Sequence, residues 1–251
     1  MNILILGDIH GARNIASLMM QYAHTAQNIT QVLHVGDMAT GYGLPHWDKP
    51  VEDITFHYVD GNHDNYLKCT ETNPYYGWCN HIARGSHIQA EQTNVLGIGG
   101  AHSIDKAFQE RQHTWWETEE PTYGQWMQIH SDVAESSTQP THIVLTHEYP
   151  LSFGFNASLR HKDTKASDRV RIGLDTVLDI LDPKPLWWFF GHHHIAHLGE
   201  YNGTNWACCP DVRSGIYGIL DVHTMDFQWH KLPEAIYTDP SPRQVTERCL
   251  F

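Results

Sequence analysis

Five short apolar runs in this chain each end in polar residues of the kinds that bind metal ions. The first run, residues 1–6, turns at Gly7 and presents Asp8 and His10 on the same side of the backbone. A single Asp-x-His after a strand is a weak signal. The design recurs at later run ends, where the metal-competent residues are Asp37, Asn62, His147 and the pair His192 and His194. Five such run ends indicate a metal site at the ends of strands.

The alternation of these runs with helical segments predicts an α/β fold. Residues 12–27 carry apolar side chains at helical spacing, between strands predicted at 1–6 and 31–35. With a third strand at 54–59, this forms a β-α-β opening whose strands should be parallel, with functional loops at their carboxyl ends. Further strands are predicted at 95–98, 141–145 and 186–190, helices at 123–136 and 174–181, and antiparallel strands at 196–201, 206–208, 215–222 and 227–231.

The length of 251 residues and a hydrophobic content of 41% fit one domain that can bury a full core. We expect this domain to span residues 1–232, with residues 101–139 as a lid insertion and residues 233–251 as a polar tail. The chain opens directly into a strand and has no apolar run of about 18 residues, so we expect neither a secretory leader nor a membrane span. The expected location is the cytoplasm.

Net charge and the cysteine and histidine content limit the binding surfaces, cross-links and metal sites to be expected. The 16 basic and 29 acidic residues give a formal net charge of −13, which disfavours an extended nucleic-acid surface because phosphate attraction needs lysine and arginine. Five cysteines without C-x-x-C spacing indicate reduced thiols rather than a disulfide framework or a structural zinc site. Twenty histidines leave room for several ligands, although most of them must be ordinary polar residues.

The polar blocks, taken in order, resemble the signature of the calcineurin-like metallophosphoesterases. That signature is Asp-x-His, Gly-Asp, Gly-Asn-His-Asp/Glu, a lone His and Gly-His-x-His. In this chain the matching blocks lie at residues 8–10, 36–37, 61–64, 147 and 191–194. The resemblance implies a four-layer α/β/β/α sandwich of two mixed sheets flanked by helices, with a dinuclear metal site at the strand ends. The residues alone support only β-α-β units followed by an antiparallel set.

The resemblance also implies a role for each matched position. Seven side chains would bind two metal ions: Asp8, His10 and His194 the first, Asn62, His147 and His192 the second, and Asp37 both. Two such cations polarise phosphoryl oxygens and activate a shared water. His63 would give a proton to the leaving oxygen or place a charge near the transition state, and Asp64 would orient its imidazole. His193 is expected to be an ordinary polar side chain, because the family varies there.

These roles imply a dinuclear metal-dependent phosphoesterase that cleaves a phosphodiester of nucleotide or nucleic-acid type by attack of a metal-bridging hydroxide. The alternatives are a phosphomonoesterase or nucleotide pyrophosphatase of the same fold, or a catalytically silent metal-binding scaffold. The complete ligand set favours an enzyme. Mixed His, Asp and Asn ligation accepts Mn²⁺, Fe, Zn²⁺, Ni²⁺ or Co²⁺, and we expect Mn²⁺ to support activity in vitro. Expected substrates are small phosphoesters, nucleotides or short nucleic acids.

Two stretches of the chain depart from the most common family pattern. Residues 38–40 lack the second Asp that many members carry after the Gly-Asp block, and no Asp-Arg-Gly stretch of the protein serine/threonine phosphatases follows Asp37. Residues 99–106 with Trp115 and Trp116 resemble small bacterial and phage-encoded members. One of these tryptophans could stack on a base, or both could pack a helix onto the sheet. Arg111 is a further expected substrate contact, and the other candidate phosphate contacts are Lys106, Arg160 and Arg169.

Overall fold

The computed structural model describes residues 1–70, 77–103, 106, 115–136, 140–155 and 168–237. Within these residues the strands are β1 Asn2–Leu6, β2 Gln31–His34, β3 Thr55–Tyr58, β4 Cys79–His81, β5 Ser86–Ala90, β6 Thr93–Ile98, β7 Ile143–Thr146, β8 Trp187–Phe190, β9 His197–Tyr201, β10 Thr204–Cys208, β11 Ile216–Asp221 and β12 Phe227–Lys231. The helices of four or more residues are α1 Arg13–Gln27, α2 Tyr66–Thr70, α3 Tyr123–Glu135, α4 Asp168–Ile180 and α5 Glu234–Tyr237.

Two mixed sheets form the centre of the molecule. The strand order is β12-β11-β1-β2-β3-β4 in the first sheet and β5-β6-β7-β8-β10-β9 in the second. Strands β1 to β4 pair in parallel, as do β6, β7, β8 and β10, while the outer strands β12, β11, β5 and β9 pair antiparallel with their neighbours. The parallel strands of each sheet therefore send their carboxyl ends to one edge of that sheet.

Side chains of β1 show how the layers are stacked. Ile3 and Ile5 lie in a buried cluster with residues of β7 and β8, which is the core between the two sheets. Leu4 and Leu6 point to the opposite face and pack in a second cluster with Met19 of α1. Because both faces are covered, the strand is a continuous apolar run, and each fully buried Leu or Ile contributes about 1.5–3 kcal/mol. Helices α3 and α4 cover the outer face of the second sheet in the same way.

The fold is thus the expected α/β sandwich of two mixed sheets flanked by helices. The predicted elements are present, and helix α3 begins at a capping box between Thr122 and Gln125. Helix α4 begins at Asp168, six residues before the predicted start. Strands β4 and β5 and helix α2 were not predicted, because these segments are short and mostly polar.

The prediction of one antiparallel C-terminal set was wrong in its topology. Strands β9 and β10 form a hairpin that joins the second sheet, and β10 runs parallel to β8 with Trp206 opposite Trp188. Strands β11 and β12 instead join the first sheet beside β1. Turn residues select the partner within a hairpin, but they do not select the sheet that receives it.

Every helix within the described residues is too short or too polar to cross a membrane. The division into a domain over residues 1–232, a lid over residues 101–139 and a tail over residues 233–251 stays a prediction. Parts of the lid and most of the tail lie outside the described residues.

Candidate metal centre

The five polar blocks meet at the carboxyl ends of strands from both sheets. Strands β1, β2 and β3 lead into the first three blocks, and β7 and β8 lead into the last two. The backbone also ties neighbouring blocks together, since the Asp37 carbonyl oxygen accepts the His10 N–H at 2.8 Å. The carbonyl oxygen of His147 likewise accepts the Gly191 N–H at 3.1 Å. The site therefore straddles the edge of the sandwich.

Four of the residues in these blocks have positive φ angles, which are energetically unfavourable for residues other than glycine. His10, Asp37, His192 and His194 have φ angles of 43°, 62°, 66° and 55°. The left-handed region is sparsely populated for residues other than glycine, and each such residue costs roughly 1–3 kcal/mol that the surrounding structure must offset. Non-glycine residues in this conformation cluster at functional sites.

Two motif glycines are required by close approach. A Cβ on Gly36, whose φ is 108°, would lie 2.6 Å from His147 Nδ1. A Cβ on Gly61 would overlap the Asp37 carboxylate. Any larger residue at either position would displace a candidate ligand, so these glycines are part of the construction of the site.

The first group of candidate ligands consists of Asp8, His10, Asp37 and His194, which offer donor atoms within 4.8 Å of one another. His194 Nε2 lies 3.0 Å from Asp8 Oδ2, and the Nε2 atoms of His10 and His194 are also 3.0 Å apart. Burial raises the pKa of Asp8, but the hydrogen bond and charge of His194 outweigh it and lower that pKa to about 2. Burial lowers the pKa of His194, and Asp8 in turn raises it to about 9.

The second group consists of Asp37, Asn62 and His147. His147 Nε2 lies 3.0 Å from Asn62 Oδ1 and 3.3 Å from Asp37 Oδ2. His147 Nδ1 lies 2.7 Å from the Val35 carbonyl oxygen, which can only accept, so Nδ1 carries a hydrogen. In the neutral ring, Nε2 then carries a lone pair that faces Asn62 Oδ1 and Asp37 Oδ2. Burial lowers the pKa of His147, but the charge and hydrogen bond of Asp37 raise it to about 10.

The donor chemistry of both groups fits a divalent transition metal. Imidazole nitrogens and carboxylate and amide oxygens converge, and in the second group a metal ion would take the place of the proton between His147 Nε2 and the two facing oxygens. Asp37 Oδ2 lies 3.4 Å from His10 Nε2 and 3.3 Å from His147 Nε2, so it faces both groups. This is the position that a shared carboxylate would occupy.

His192 lies beside the second group in a different setting. Its ring centroid is 5.1 Å from that of His147, and its Nε2 lies 3.9 Å from Glu148 Oε2. His193 Nε2 lies 3.0 Å from the other oxygen of Glu148, and its ring packs against Tyr149. His193 is thus a partnered polar side chain. Burial raises the pKa of Glu148, but its contacts with His193, His192 and Arg171 outweigh burial and lower this pKa.

His63 lies at the rim of the centre. Its backbone N–H donates to Asp37 Oδ1 at 2.9 Å, and the centroid of its ring is 5.2 Å from that of the His10 ring. The contact to the imidazole comes from Tyr42, whose hydroxyl lies 3.2 Å from His63 Nδ1. Sequence reasoning missed Tyr42, because it belongs to a loop with no motif of its own.

The predicted contact of Asp64 with the His63 imidazole is wrong, since the described residues contain no hydrogen bond between them. Buried Asp64 instead accepts the backbone N–H groups of Met38, Thr40 and Gly61 at 3.1, 2.7 and 2.9 Å. It therefore ties the loop after β2 to the loop after β3. Burial and the nearby Asp37 charge raise the pKa of Asp64 to about 6.

The two tryptophans of this pair lie in different surroundings. Trp116 is 4% exposed and meets Tyr42 edge-on with centroids 6.0 Å apart, so it is too buried to stack on a base. Half-buried Trp115 lies under Lys106, whose Nζ is 3.9 Å from the ring centroid. Both lie outside helices. Arg169 Nη2 lies 3.6 Å from Glu120 Oε2, and the predicted contacts Arg111 and Arg160 lie outside the described residues.

Arg213 is a cationic residue at the rim that the sequence did not indicate. Its Nη2 donates to the His10 carbonyl oxygen at 3.1 Å, and its Nη1 donates to Asp211 Oδ2 at 2.7 Å. The side chain is 49% exposed. It follows a short turn after β10, so only the fold brings it beside the first block.

Comparison with known proteins decides the family. The family model described as calcineurin-like phosphoesterase matches residues 1–196. This chain belongs to that family. Calcineurin-like phosphoesterases depend on a dinuclear metal centre, and candidate ligands for it are present in the first group and in the contacts of His147 with Asn62 and Asp37. No curated protein sequence matches the chain.

Solved structures show the same calcineurin-like fold. The protein TT1561 of Thermus thermophilus has a TM-score of 0.61 at 13% identity, over 92% of this chain and 98% of that one. GAP50, the anchor in the inner membrane complex of Plasmodium, has a TM-score of 0.53 at 14% identity, over 92% and 88%. A phosphatase of Mycoplasma pneumoniae has a TM-score of 0.50 at 10% identity, over 95% and 97%. At such identities the likeness concerns the fold alone.

Proposed function

We propose that this chain hydrolyses phosphodiesters of nucleotide or short nucleic-acid type at a dinuclear metal centre. The observation that carries the proposal is the position of Asp37 Oδ2, which lies 3.4 Å from His10 Nε2 on one side and 3.3 Å from His147 Nε2 on the other. Donors from five strand ends are thus grouped around one carboxylate. A silent scaffold would have no need to keep this arrangement at the cost of strained backbone.

Each metal position has its own set of residues in this proposal. Asp8, His10 and His194 would hold the first ion, Asn62, His147 and His192 the second, and Asp37 both. When bound, the two ions would polarise phosphoryl oxygens and lower the pKa of water. Mn²⁺ is our choice for assays in vitro, and the mixed nitrogen and oxygen ligation also suits Fe, Zn²⁺, Ni²⁺ and Co²⁺.

His63 is the proposed proton donor to the leaving oxygen. As the donor, the His63 ring would be the imidazolium, with Nδ1–H directed to the Tyr42 hydroxyl oxygen and Nε2–H left for the substrate. Once the Nε2 proton has been given to the leaving oxygen, the ring is a neutral imidazole. A diester expels an alkoxide, which gains more from a nearby proton donor than a good leaving group does. Asp64 supports this step indirectly, because it holds together the loops that carry Asp37 and His63.

The test compares bis(p-nitrophenyl) phosphate with p-nitrophenyl phosphate, which share one leaving group. The full chain is stripped with EDTA and assayed with and without added Mn²⁺, and its metal content is measured in parallel. We expect turnover only with metal, and faster turnover of the diester. Faster monoester turnover would identify a phosphomonoesterase instead. Cleavage of a dinucleoside polyphosphate in preference to both would indicate a pyrophosphatase. Two bound ions without any turnover would indicate a silent scaffold.

A further inference from the structure

The amide of Asn62 can bind a metal ion only through its oxygen, and an amide can be rotated by half a turn without changing its shape. In this structure Asn62 Oδ1 faces His147 Nε2 at 3.0 Å, and Asn62 Nδ2 donates to Ser103 Oγ at 3.1 Å. Both Asn62 and Ser103 are 1% exposed, so water does not compete for either group. The neighbours of the amide must therefore decide its orientation.

The polarity of the neighbouring groups makes that decision. Ser103 Oγ lies 2.5 Å from Glu119 Oε2, and a carboxylate oxygen can only accept, so the hydroxyl hydrogen of Ser103 is directed to Glu119. Ser103 Oγ can then only accept from Asn62, which requires the NH₂ group on that side. Burial raises the pKa of Glu119, and the hydrogen bond from Ser103 acts against this by stabilising the carboxylate.

The chain of hydrogen bonds from Asn62 through Ser103 to Glu119, here called the relay, is itself held in a fixed place. Arg84 Nη2 donates to the carbonyl oxygens of Thr118 and Glu119 at 2.9 and 3.1 Å, and to Asp60 Oδ2 at 2.5 Å. Asp60 lies just after β3, two residues before Asn62. The same guanidinium thus joins the segment that carries Glu119 to the strand end that carries Asn62. Glu119 is 1% exposed and cannot leave Ser103 for solvent.

We infer that Ser103 and Glu119 are positioning residues that fix the Asn62 amide with its oxygen toward the second metal position. This inference rests on the proposed function, because it assigns the two residues a purpose only if a second ion binds. Neither residue touches the reacting atoms. Their contribution is to disfavour the rotated orientation of the Asn62 amide, in which the NH₂ group would face the cation.

The test is calorimetric titration of the metal-stripped full chain with Mn²⁺. The native chain should bind two ions. Ser103→Ala should weaken the second ion by roughly 10–100-fold, the usual span when an outer partner of a metal ligand is lost, and leave the first unchanged. Glu119→Gln should give a smaller loss, because its side chain can offer Ser103 either a carbonyl or an amide group.

Thr93→Val is the matched control for the loss of a buried hydroxyl. Thr93 is also 1% exposed, and its hydroxyl donates to the Ala90 carbonyl oxygen at the far end of β6. This variant should lose stability as Ser103→Ala does, but it should keep both Mn²⁺ affinities. A control that also lost the second ion would overturn the inference, because any buried hydroxyl would then do the same.

The Asn62→Asp background separates orientation from packing. A carboxylate presents oxygen on both sides, so it has no wrong orientation to exclude. In that background Ser103→Ala should not weaken binding of the second ion, because the Ser103 hydroxyl hydrogen is directed to Glu119 and supports neither orientation of the carboxylate, whereas a packing role would cost the same in both backgrounds. Equal losses in both backgrounds would overturn the inference.

The native titration distinguishes the two levels of failure. If the native chain binds two ions and Ser103→Ala keeps both affinities, the relay is refuted and the proposed function stands. If the native chain binds no second ion, the proposed function fails and the relay fails with it.

Discussion

The two halves of the candidate metal centre use similar side chains in different surroundings. In the first half, the side chains of His10 and His194 are 19% and 45% exposed, and His194 Nε2 lies 3.0 Å from Asp8 Oδ2. In the second half, Asn62 and His147 are buried, and both are held by hydrogen bonds, from Asn62 to Ser103 and from His147 to the Val35 carbonyl oxygen.

This difference separates two ways of preparing a metal site. Exposed histidines can reorient when an ion arrives, because water replaces the contacts that they lose. Buried ligands have no such replacement, so their partners must be in place beforehand. Removal of a buried ligand from the second half should therefore damage the fold as well as the metal site, whereas removal of an exposed histidine from the first half should damage chiefly the metal site.

The largest effect should come from Asp37→Ala, which removes the carboxylate that faces both halves. We expect both ions to be lost or weakened and turnover to fall by at least roughly 10³-fold, since a catalytic metal supplies several kcal/mol of charge stabilisation. Metal analysis with diester assays checks this, and Asp53→Ala, at an exposed loop position, is the control. Two tightly bound ions with near-native turnover would exclude a shared role for Asp37.

His63→Ala tests a residue that lies beside both halves without belonging to either. Turnover of a diester with an alkoxide leaving group should fall by roughly 10²–10⁴-fold, the usual span for general acid catalysis, while metal content stays the same. Turnover of the monoester with the same leaving group should fall less or even rise, and His63→Asn should behave alike. Parallel losses of both activities would show that His63 acts as a charge near the transition state rather than as a proton donor.

The contrast itself is tested by His147→Ala against His194→Ala in metal-free protein. His147→Ala should lower the free energy of unfolding by about 2–4 kcal/mol, because it leaves a cavity and an unpaired Val35 carbonyl group. His194→Ala should cost about 1 kcal/mol or less, as expected for a pair with one exposed partner. Urea denaturation measures both. Equal costs would mean that exposure does not separate the two halves.

Acidification should lower the stability of the fold through protonation of Asp60, which lies two residues before Asn62 of the buried half. Burial raises the pKa of Asp60, but Arg84 and His81 outweigh it and lower that pKa to about 2, from an ordinary 3.8. The folded carboxyl thus binds its proton less readily than the unfolded one. Its contribution of about 2 kcal/mol is present above about pH 4 and lost as the pH falls toward 2.

Asp60→Asn isolates this contribution from that of Asp8, whose pKa is also lowered to about 2. The variant should be less stable than the native chain at neutral pH and lose less on acidification. The free energy of unfolding of both metal-free proteins, measured by urea denaturation between about pH 6 and pH 2, checks this prediction. Parallel curves for the two proteins would contradict it.

The smallest effect is expected at Trp115 and Trp116. Trp115→Ala should raise the KM for a nucleoside p-nitrophenyl diester by roughly fivefold, about 1 kcal/mol, and change the KM for methyl p-nitrophenyl phosphate less. Buried Trp116 packs on Tyr42, so Trp116→Ala should affect both esters alike. Equal effects of Trp115→Ala on the two esters would leave it a packing role only.

Most of the strands and the composition of the site followed from local sequence. An apolar run such as that of β1 is buried on both faces, and it reads as a strand whatever its neighbours are. The polar blocks at the run ends were visible because parallel strands deliver their carboxyl ends to one edge, so sequence order already implied proximity. The four layers were predicted by the family resemblance and not by local sequence.

Pairing between distant segments was beyond the reach of local patterns. Strand β4, Cys79–His81, has no apolar alternation, and it exists because β3 offers it a partner. The parallel pairing of β10 with β8 likewise depends on where the β9-β10 hairpin docks. Such strands are decided by tertiary hydrogen bonds that propensity does not describe.

The sequence by itself determined which residues could bind metal, and only the tertiary structure decided what holds each of them. Asp64 follows His63 directly, yet it turns away to bind three backbone N–H groups, while Tyr42 reaches the imidazole from another loop. Ser103 meets Asn62 across 41 positions of sequence. Ligand identity is a property of short motifs at strand ends, whereas hydrogen-bond partners depend on how separate loops pack, and no local pattern encodes that packing.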